Sequence, residues 1–179
     1  MSGALLSTPR LTLRPCSLDD VPALHALWID PDVRRWLWDD LVIPEASARD
    51  VVEESLVTFA ARGFGQWVAS ARDSGALVGF AGLRPLGDAG DVELLYALGP
   101  GYWGTGLATE AARAVLDHGF GSLALPRIAA RADSPNTASV SVMKRLGLRF
   151  EGERLVQGRP TVHYAMAREE WLADARGGG

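Results

Sequence analysis

The chain is poor in the residues that build disulfide or metal frameworks. Its 179 residues include one cysteine, Cys16, and three histidines, His25, His118 and His163. One thiol cannot close an internal disulfide, so the fold does not depend on oxidation. Cys16 lies in an apolar-alternating run, which suits a buried structural thiol better than a nucleophile. The histidines fall at no metal-ligand spacing, and no metal is expected. Basic residues are also in the minority: 18 Lys and Arg stand against 22 Asp and Glu, a net charge of −4. That leaves no basic stripe for nucleic-acid phosphates and no polybasic membrane anchor, although it permits a local basic pocket for a phosphorylated ligand. The first residues, M-S-G-A-L-L-S-T-P-R, lack a charged start followed by a long apolar stretch, and no run is long enough to span a bilayer. The expectation is a cytoplasmic protein with neither nucleic-acid nor membrane partners. There is no internal repeat and no low-complexity stretch.

Hydrophobic residues make up 47%, enough for one sizeable core, so a single domain is expected over residues 1–176, with Gly177, Gly178 and Gly179 as a flexible tail. R-L-T-L-R-P, Arg10 to Pro15, alternates like a half-buried strand. Ser17 with Asp20 three residues on reads as a capping box opening a helix from about Leu18 to Asp30. Pro31 starts a short helical piece, and Pro44 opens a longer helix ending near Gly63. Gln66 to Arg72 and Leu77 to Leu83 flank the turn Asp73-Ser74-Gly75 and read as a hairpin. Val92 to Leu98 is an apolar strand carrying one acid, Glu93. A glycine-rich segment follows, then a helix from about Gly106 to Phe120, a strand over Arg127 to Ala132 and a helix over Asn136 to Leu146 closed by Gly147. Leu148 to Leu155 and Thr161 to Met166 read as a final hairpin. The order β-α-α-α-β-β-β-α-β-α-β-β predicts a mixed α/β sheet, antiparallel early, with one right-handed parallel crossover in the middle.

The segment Gly99 to Ala108, G-P-G-Y-W-G-T-G-L-A, sits between a strand and a helix. A helix start presents unpaired N–H groups and about half a positive charge, and glycine lets an anion approach the backbone. Gly104, Gly106 and the small Ala108 suit a phosphate or pyrophosphate. Gly99, Gly101 and Gly104 match G-x-G-x-x-G, a weak dinucleotide signal here because the best helix start comes later and Arg131 precedes Asp133 on the next strand. A Walker loop fails for want of a lysine before the helix. A pantetheine-pyrophosphate loop is the third reading.

That third reading is where a resemblance enters. Val92 to Ala112, V-E-L-L-Y-A-L-G-P-G-Y-W-G-T-G-L-A-T-E-A-A, resembles the central signature of the GNAT superfamily, most nearly the subgroup that acetylates the N-terminal alanine of ribosomal proteins. Gly106 and Ala108 fill the last named positions of its Gln/Arg-x-x-Gly-x-Gly/Ala motif, and Trp103 stands where Gln or Arg is usual, which removes one side-chain contact and leaves the backbone contacts. R-L-T-L-R-P with S-L-D-D-V, the run N-T-A-S-V-S-V-M-K-R-L-G-L from Asn136, and Y-A-M-A-R-E-E-W from Tyr164 resemble further segments in the same order. The resemblance implies an acyl-CoA N-acyltransferase fold: a twisted mixed sheet splayed in the middle, helices on both faces, and acetyl-CoA in the gap. It implies transfer of acetyl from acetyl-CoA to a primary amine, a peptide N-terminus or a small molecule, by direct attack in a ternary complex. A homodimer is compatible with it.

An amine attacks only when neutral, with reference pKa values of about 10.4 for a lysine-type amine and about 7.7–8.0 for an α-amine. Glu93 is the candidate base, on the expectation that partial burial raises its pKa; the competing reading pairs it with Arg84 or Arg131. Met143 occupies the place of the tyrosine that many GNAT enzymes use to protonate the departing thiolate, and Ser139 is the candidate donor instead. Asn136 and Ser139 also fit plain helix capping. The resemblance further implies that the N–H groups of Gly104, Thr105, Gly106, Leu107 and Ala108 hold the pyrophosphate, that backbone of Leu95, Tyr96, Ala97 and Leu98 bonds the pantetheine arm, and that Thr105, Thr109 and Asn136 add contacts. Trp36, Trp38 and Tyr164 are candidate acceptor-pocket residues; ordinary core aromatics are the alternative. Two other functional classes stay in play: a non-catalytic acyl-CoA-binding or sensing domain, and a nicotinamide-dependent enzyme.

Overall fold

A computed structural model describes residues 4–87 and 90–177. The chain forms β1 (Leu6–Ser7), β2 (Leu11–Pro15), α1 (Val21–Trp28), α2 (Pro31–Leu37), α3 (Glu45–Arg62), β3 (Gln66–Ala71), β4 (Leu77–Leu86), β5 (Asp91–Leu98), α4 (Leu107–Asp117), β6 (Arg127–Asp133), α5 (Thr137–Arg145), β7 (Arg149–Val156), β8 (Arg159–Ala167) and α6 (Arg168–Gly177). The strands make one eight-stranded sheet in the order β1-β2-β3-β4-β5-β6-β8-β7. All neighbours are antiparallel except β5 and β6, which α4 connects as the expected parallel crossover.

Strand alternation divides the core between the two faces of the sheet. One face buries Leu83, Leu94, Leu98, Ile128, Ala130, Val162 and Tyr164 under α4 and α5. The alanines Ala111 and Ala112 of α4 are completely buried there, which brings the helix close to the sheet. The opposite face buries Val68 and Phe80 against Val21, Leu24 and Trp28 of α1 and Ala48 and Val52 of α3. Cys16 is 2% exposed and belongs to this second cluster, as a structural thiol should.

The sheet is continuous except in its middle. β4 and β5 pair without a break from Leu86↔Asp91 to Gly79↔Leu98. β5 meets β6 in register only at Glu93↔Ala129, while β6 stays laddered to β8 through Asp133↔Thr161. Beyond Glu93 the two strands part, and the β6-facing edge of Leu94 to Leu98 has no strand opposite it.

Two elements lie outside the sequence-based reading. β1 is too short to show a period. α6 follows β8 with no linker, and its start is capped by the Glu170 carboxylate, which accepts the Ala167 N–H at 2.9 Å. α6 carries through to Gly177, the first residue of the expected glycine tail, and Gly178 and Gly179 lie outside the described residues. Among the described residues no helix is long and apolar enough to cross a membrane.

Candidate active site

The gap between β5 and β6 opens into a cleft of about 780 Å³. Its lining runs from Gly104, Gly106, Ala108 and Thr109 at one end, past Leu95, Tyr96, Ala97, Asn136 and Ser139, to Arg84, Glu93 and Arg131 at the other.

At the first end the chain leaves β5, makes a short 3-10 turn over Pro100–Tyr102 and reaches α4 only at Leu107. Gly104 and Gly106 take left-handed backbone angles, φ +71° and +82°, and Gly106 is the N-cap of α4. The first backbone bond of the helix runs from Glu110 N–H to the Gly106 carbonyl at 3.1 Å, so the preceding N–H groups point out of the helix end. Gly99 and Gly101 have no such angle and stand away from the helix start, so the dinucleotide pattern is a coincidence of spacing. The Thr109 hydroxyl is buried without a partner, and Thr109 lines the cleft. The Thr105 hydroxyl is already committed to the Tyr102 carbonyl at 2.6 Å, and the Leu107 side chain belongs to the core, so for both only the backbone is available. Trp103 folds back and donates its indole N–H to the Leu98 carbonyl at 2.8 Å.

This loop is clamped from outside by residues the sequence reading did not single out. Arg10 gives one N–H to the Thr105 carbonyl at 2.9 Å and others to Glu110, whose carboxylate also accepts from Thr8 at 2.6 Å and from Arg10 N–H at 2.8 Å. Glu110 thereby ties the N-terminal strands to the first turn of α4. If this loop holds the acetyl-CoA that the sequence resemblance implies, Glu110→Ala weakens its binding about fivefold, the effect of about 1 kcal/mol of lost hydrogen bonding. Isothermal titration of the variant checks this.

Along the middle of the cleft Tyr96 reaches α5: its hydroxyl lies 3.0 Å from the Ser139 carbonyl and 2.9 Å from Ser139 Oγ. Burial pushes the Tyr96 pKa up to about 12, only partly offset by the serine bond, so the phenol keeps its proton. Only the backbone of Tyr96 was expected to matter; a phenol in the apolar run V-E-L-L-Y-A-L was the available signal. Asn136 is the N-cap of α5, accepting the Ser139 N–H at 3.1 Å, and it also lines the cleft. Met143, in the place of the customary tyrosine, is completely buried in the core.

At the far end Glu93 is 2% exposed, and its carboxylate is held on both sides. Arg131 donates from Nε at 2.6 Å to Oε1, and Arg84 from Nε at 2.7 Å to Oε2. Burial, the largest single effect, pushes the carboxyl up, but the hydrogen bonds and charges of Arg131 and Arg84 together outweigh it and hold the pKa below the ordinary carboxylate value. The expectation of a raised pKa is therefore corrected: the ion-paired alternative describes this glutamate, and an acid so held is a weak proton acceptor.

The aromatic candidates divide. Trp36 and Trp38 line the cleft on the α1 side; Trp36 is 38% exposed, while Trp38 is half-buried against Trp28 at 5.8 Å. Tyr164 does not join them. It is 5% exposed, sits in the α4-side core and packs on Phe150 at 5.4 Å. In β8 its neighbours Thr161 and His163 have the opposite parity and face away from that core. Arg159 also lines the cleft, bonding Asp133 at 2.6 Å and Asp39, in the loop after α2, at 3.1 Å. Among the described residues no group of three or more His, Cys, Asp or Glu could hold a metal ion.

Comparisons with known proteins agree with this geometry. A family model described as an acetyltransferase (GNAT) domain matches residues 10–149. An uncharacterized N-acetyltransferase of Bacillus licheniformis, p20, is 30% identical over 82% of this chain and 83% of its own. A GNAT-family acetyltransferase from Bacillus anthracis superposes with a TM-score of 0.80 at 26% identity, covering 93% of this chain and all of that one. A ribosomal L7/L12 α-N-protein acetyltransferase solved in complex with coenzyme A shares the fold, with a TM-score of 0.76 at 19% identity over 92% of this chain and 98% of that one.

Proposed function

The chain belongs to the GNAT acetyltransferase family, and from that premise we propose that it moves acetyl from acetyl-CoA to the nitrogen of a primary amine, by direct attack within a ternary complex. The acceptor is a peptide N-terminus or a small molecule. The observation that carries this reading is the parting of β5 from β6 beyond Glu93. It leaves a strand edge free for an extended amide-bearing arm, and it ends at a helix start built for a pyrophosphate.

The residues present fit such a ligand. The N–H groups of Gly104, Thr105, Gly106, Leu107 and Ala108 would hold the pyrophosphate, and the unpartnered hydroxyl of Thr109 would add a bond. Of the four residues expected to bond the pantetheine arm through their backbone, Tyr96 and Leu98 turn theirs to the open edge, with Asn136 opposite, and would hold the arm; Leu95 and Ala97 turn theirs to β4. When bound, acetyl-CoA supplies a thioester: its carbonyl carbon takes the amine lone pair, the C–S bond breaks, the nitrogen loses a proton and the sulfur gains one. Ser139 would donate to the sulfur. When the Tyr96 O–H donates its hydrogen bond to Ser139 Oγ, the serine's own O–H is free to turn toward the cleft.

Ser139→Ala is expected to lower kcat about fivefold, a loss of about 1 kcal/mol of hydrogen bonding in the transition state, with acetyl-CoA affinity held. Steady-state kinetics together with a binding titration separate the two quantities. The reading as a whole is tested by mixing the enzyme and acetyl-CoA with a panel of primary amines and following free thiol. Amine-dependent release supports it. Tight binding of acetyl-CoA without release from any amine would make the domain a non-catalytic acyl-CoA binder.

A further inference from the structure

The acceptor end of the cleft has a charge arrangement that selects among amines. On the α1 face of the sheet, Arg84, Glu93 and Arg131 come from three neighbouring strands: Arg84 is the cross-strand partner of Glu93, and Arg131 lies two residues beyond Ala129, the partner of Glu93 on β6. The single buried carboxylate lies between two guanidiniums, so the cluster carries one positive charge in excess. Each guanidinium has five N–H donors. Arg84 uses its Nε and Nη2 on Glu93, and Arg131 does the same, so the Nη1 group of each has no hydrogen-bond partner among the described residues. Both side chains line the cleft, 51% and 24% exposed.

The rest of the lining points the same way. Of the lining carboxylates, Glu93 is held inside this cluster by both arginines, while Asp39 and Asp133 lie further along the wall and share Arg159. The indole N–H groups of Trp28 and Trp38, in the same wall, are also without partners, against one unpartnered acceptor there, Gln66 Oε1. Glu93 itself acts on the arginines. Its fixed negative charge sets the planes of both guanidiniums while leaving their outer edges to a ligand.

We propose, resting on the acetyl-transfer reading above, that the acceptor is a primary amine carrying a carboxylate, and that Arg84 and Arg131, positioned by Glu93, bind that carboxylate. The amine and carboxylate are a few bonds apart. Glu93 and Leu95 are two residues apart on one strand, about 7 Å, and the reach of an arginine shortens the remaining gap. An amino acid or a small peptide-like acid satisfies this; a polyamine does not, because it brings a second cation to the guanidinium edges of Arg84 and Arg131.

The test measures thiol release from acetyl-CoA with matched amines that differ by a carboxylate, phenylalanine against phenethylamine and alanine against ethylamine, with spermidine alongside. The expected result is a kcat/KM at least about tenfold higher for the acid of each pair, or about 1.4 kcal/mol. In Arg131→Gln, and in the more exposed and more tolerant Arg84→Gln, that ratio should fall toward one, with melting curves confirming folded protein. Spermidine or the plain amines reacting as well as the acids, with a ratio unmoved by either variant, would overturn the carboxylate site while leaving acetyl transfer intact. Release from no amine at all would overturn acetyl transfer and this inference with it.

Discussion

Gly106→Val raises the acetyl-CoA dissociation constant at least about tenfold, corresponding to about 1.4 kcal/mol. The cause is conformational. A Cβ at this position meets nothing closer than Arg10 Nη2 at 3.5 Å, an ordinary contact, so crowding is not the difficulty. The difficulty is the left-handed angle, φ +82°, which a β-branched residue holds only at a cost of about 1–3 kcal/mol. To escape it the variant must rotate the peptide units on either side, and those carry the N–H groups meant for the pyrophosphate. Gly101 provides the control. It has open space where a Cβ would go and no left-handed angle, so Gly101→Ala leaves affinity unchanged. Calorimetric titration of both variants checks the contrast. Equal affinities for Gly106→Val and wild type would remove this loop from the binding site.

Glu93→Gln costs stability first. Removing one member of a fully buried ion pair costs about 3–5 kcal/mol. Because Arg84 remains half in solvent, we expect the lower part of that range or less, about 2–3 kcal/mol, in denaturant unfolding. The pH dependence has a definite sign. The folded carboxyl has a pKa below its unfolded value of about 4.3, so the ion pairs stabilise the protein above that pH and are lost as pH falls through the folded value. The wild type therefore loses stability more steeply than Glu93→Gln on acidification. Kinetics distinguish the roles. An ionised Glu93 does not titrate in the neutral range, so kcat/KM rises as the acceptor amine loses its proton, near 7.7–8.0 for the α-amine of a peptide. The variant is slower but keeps that apparent pKa. A displaced pKa in the variant would restore Glu93 as the proton acceptor.

What could be read from the chain follows from which interactions are local. The glycine loop was legible because Gly104 and Gly106 answer a backbone requirement fixed within a few residues. The β5-α4-β6 crossover was legible because strand and helix periods alternate there without ambiguity. Glu93 was recognised as an acid in an apolar strand, but its partners were not fixed: Arg84 and Arg131 reach it only through the register of β4, β5 and β6. That long-range pairing reversed the sign of its pKa shift. Tyr164 failed for a similar reason. In β8 one residue of register decides which face a side chain takes, and Tyr164 falls on the core face with Val162 and Met166. The Tyr96 to Ser139 contact joins β5 to α5 across the cleft, and no local pattern announces it.

The central claim is that the parted strands hold acetyl-CoA for transfer to an amine. The most direct measurement supplies acetyl-CoA labelled in its acetyl group with a carboxylate-bearing amine, then counts free thiol and labelled amide in the same sample. The account predicts the two products in one-to-one ratio, both dependent on the amine and both reduced in Ser139→Ala. Free thiol without labelled amide, or acetyl-CoA bound and recovered intact with every amine, would contradict it.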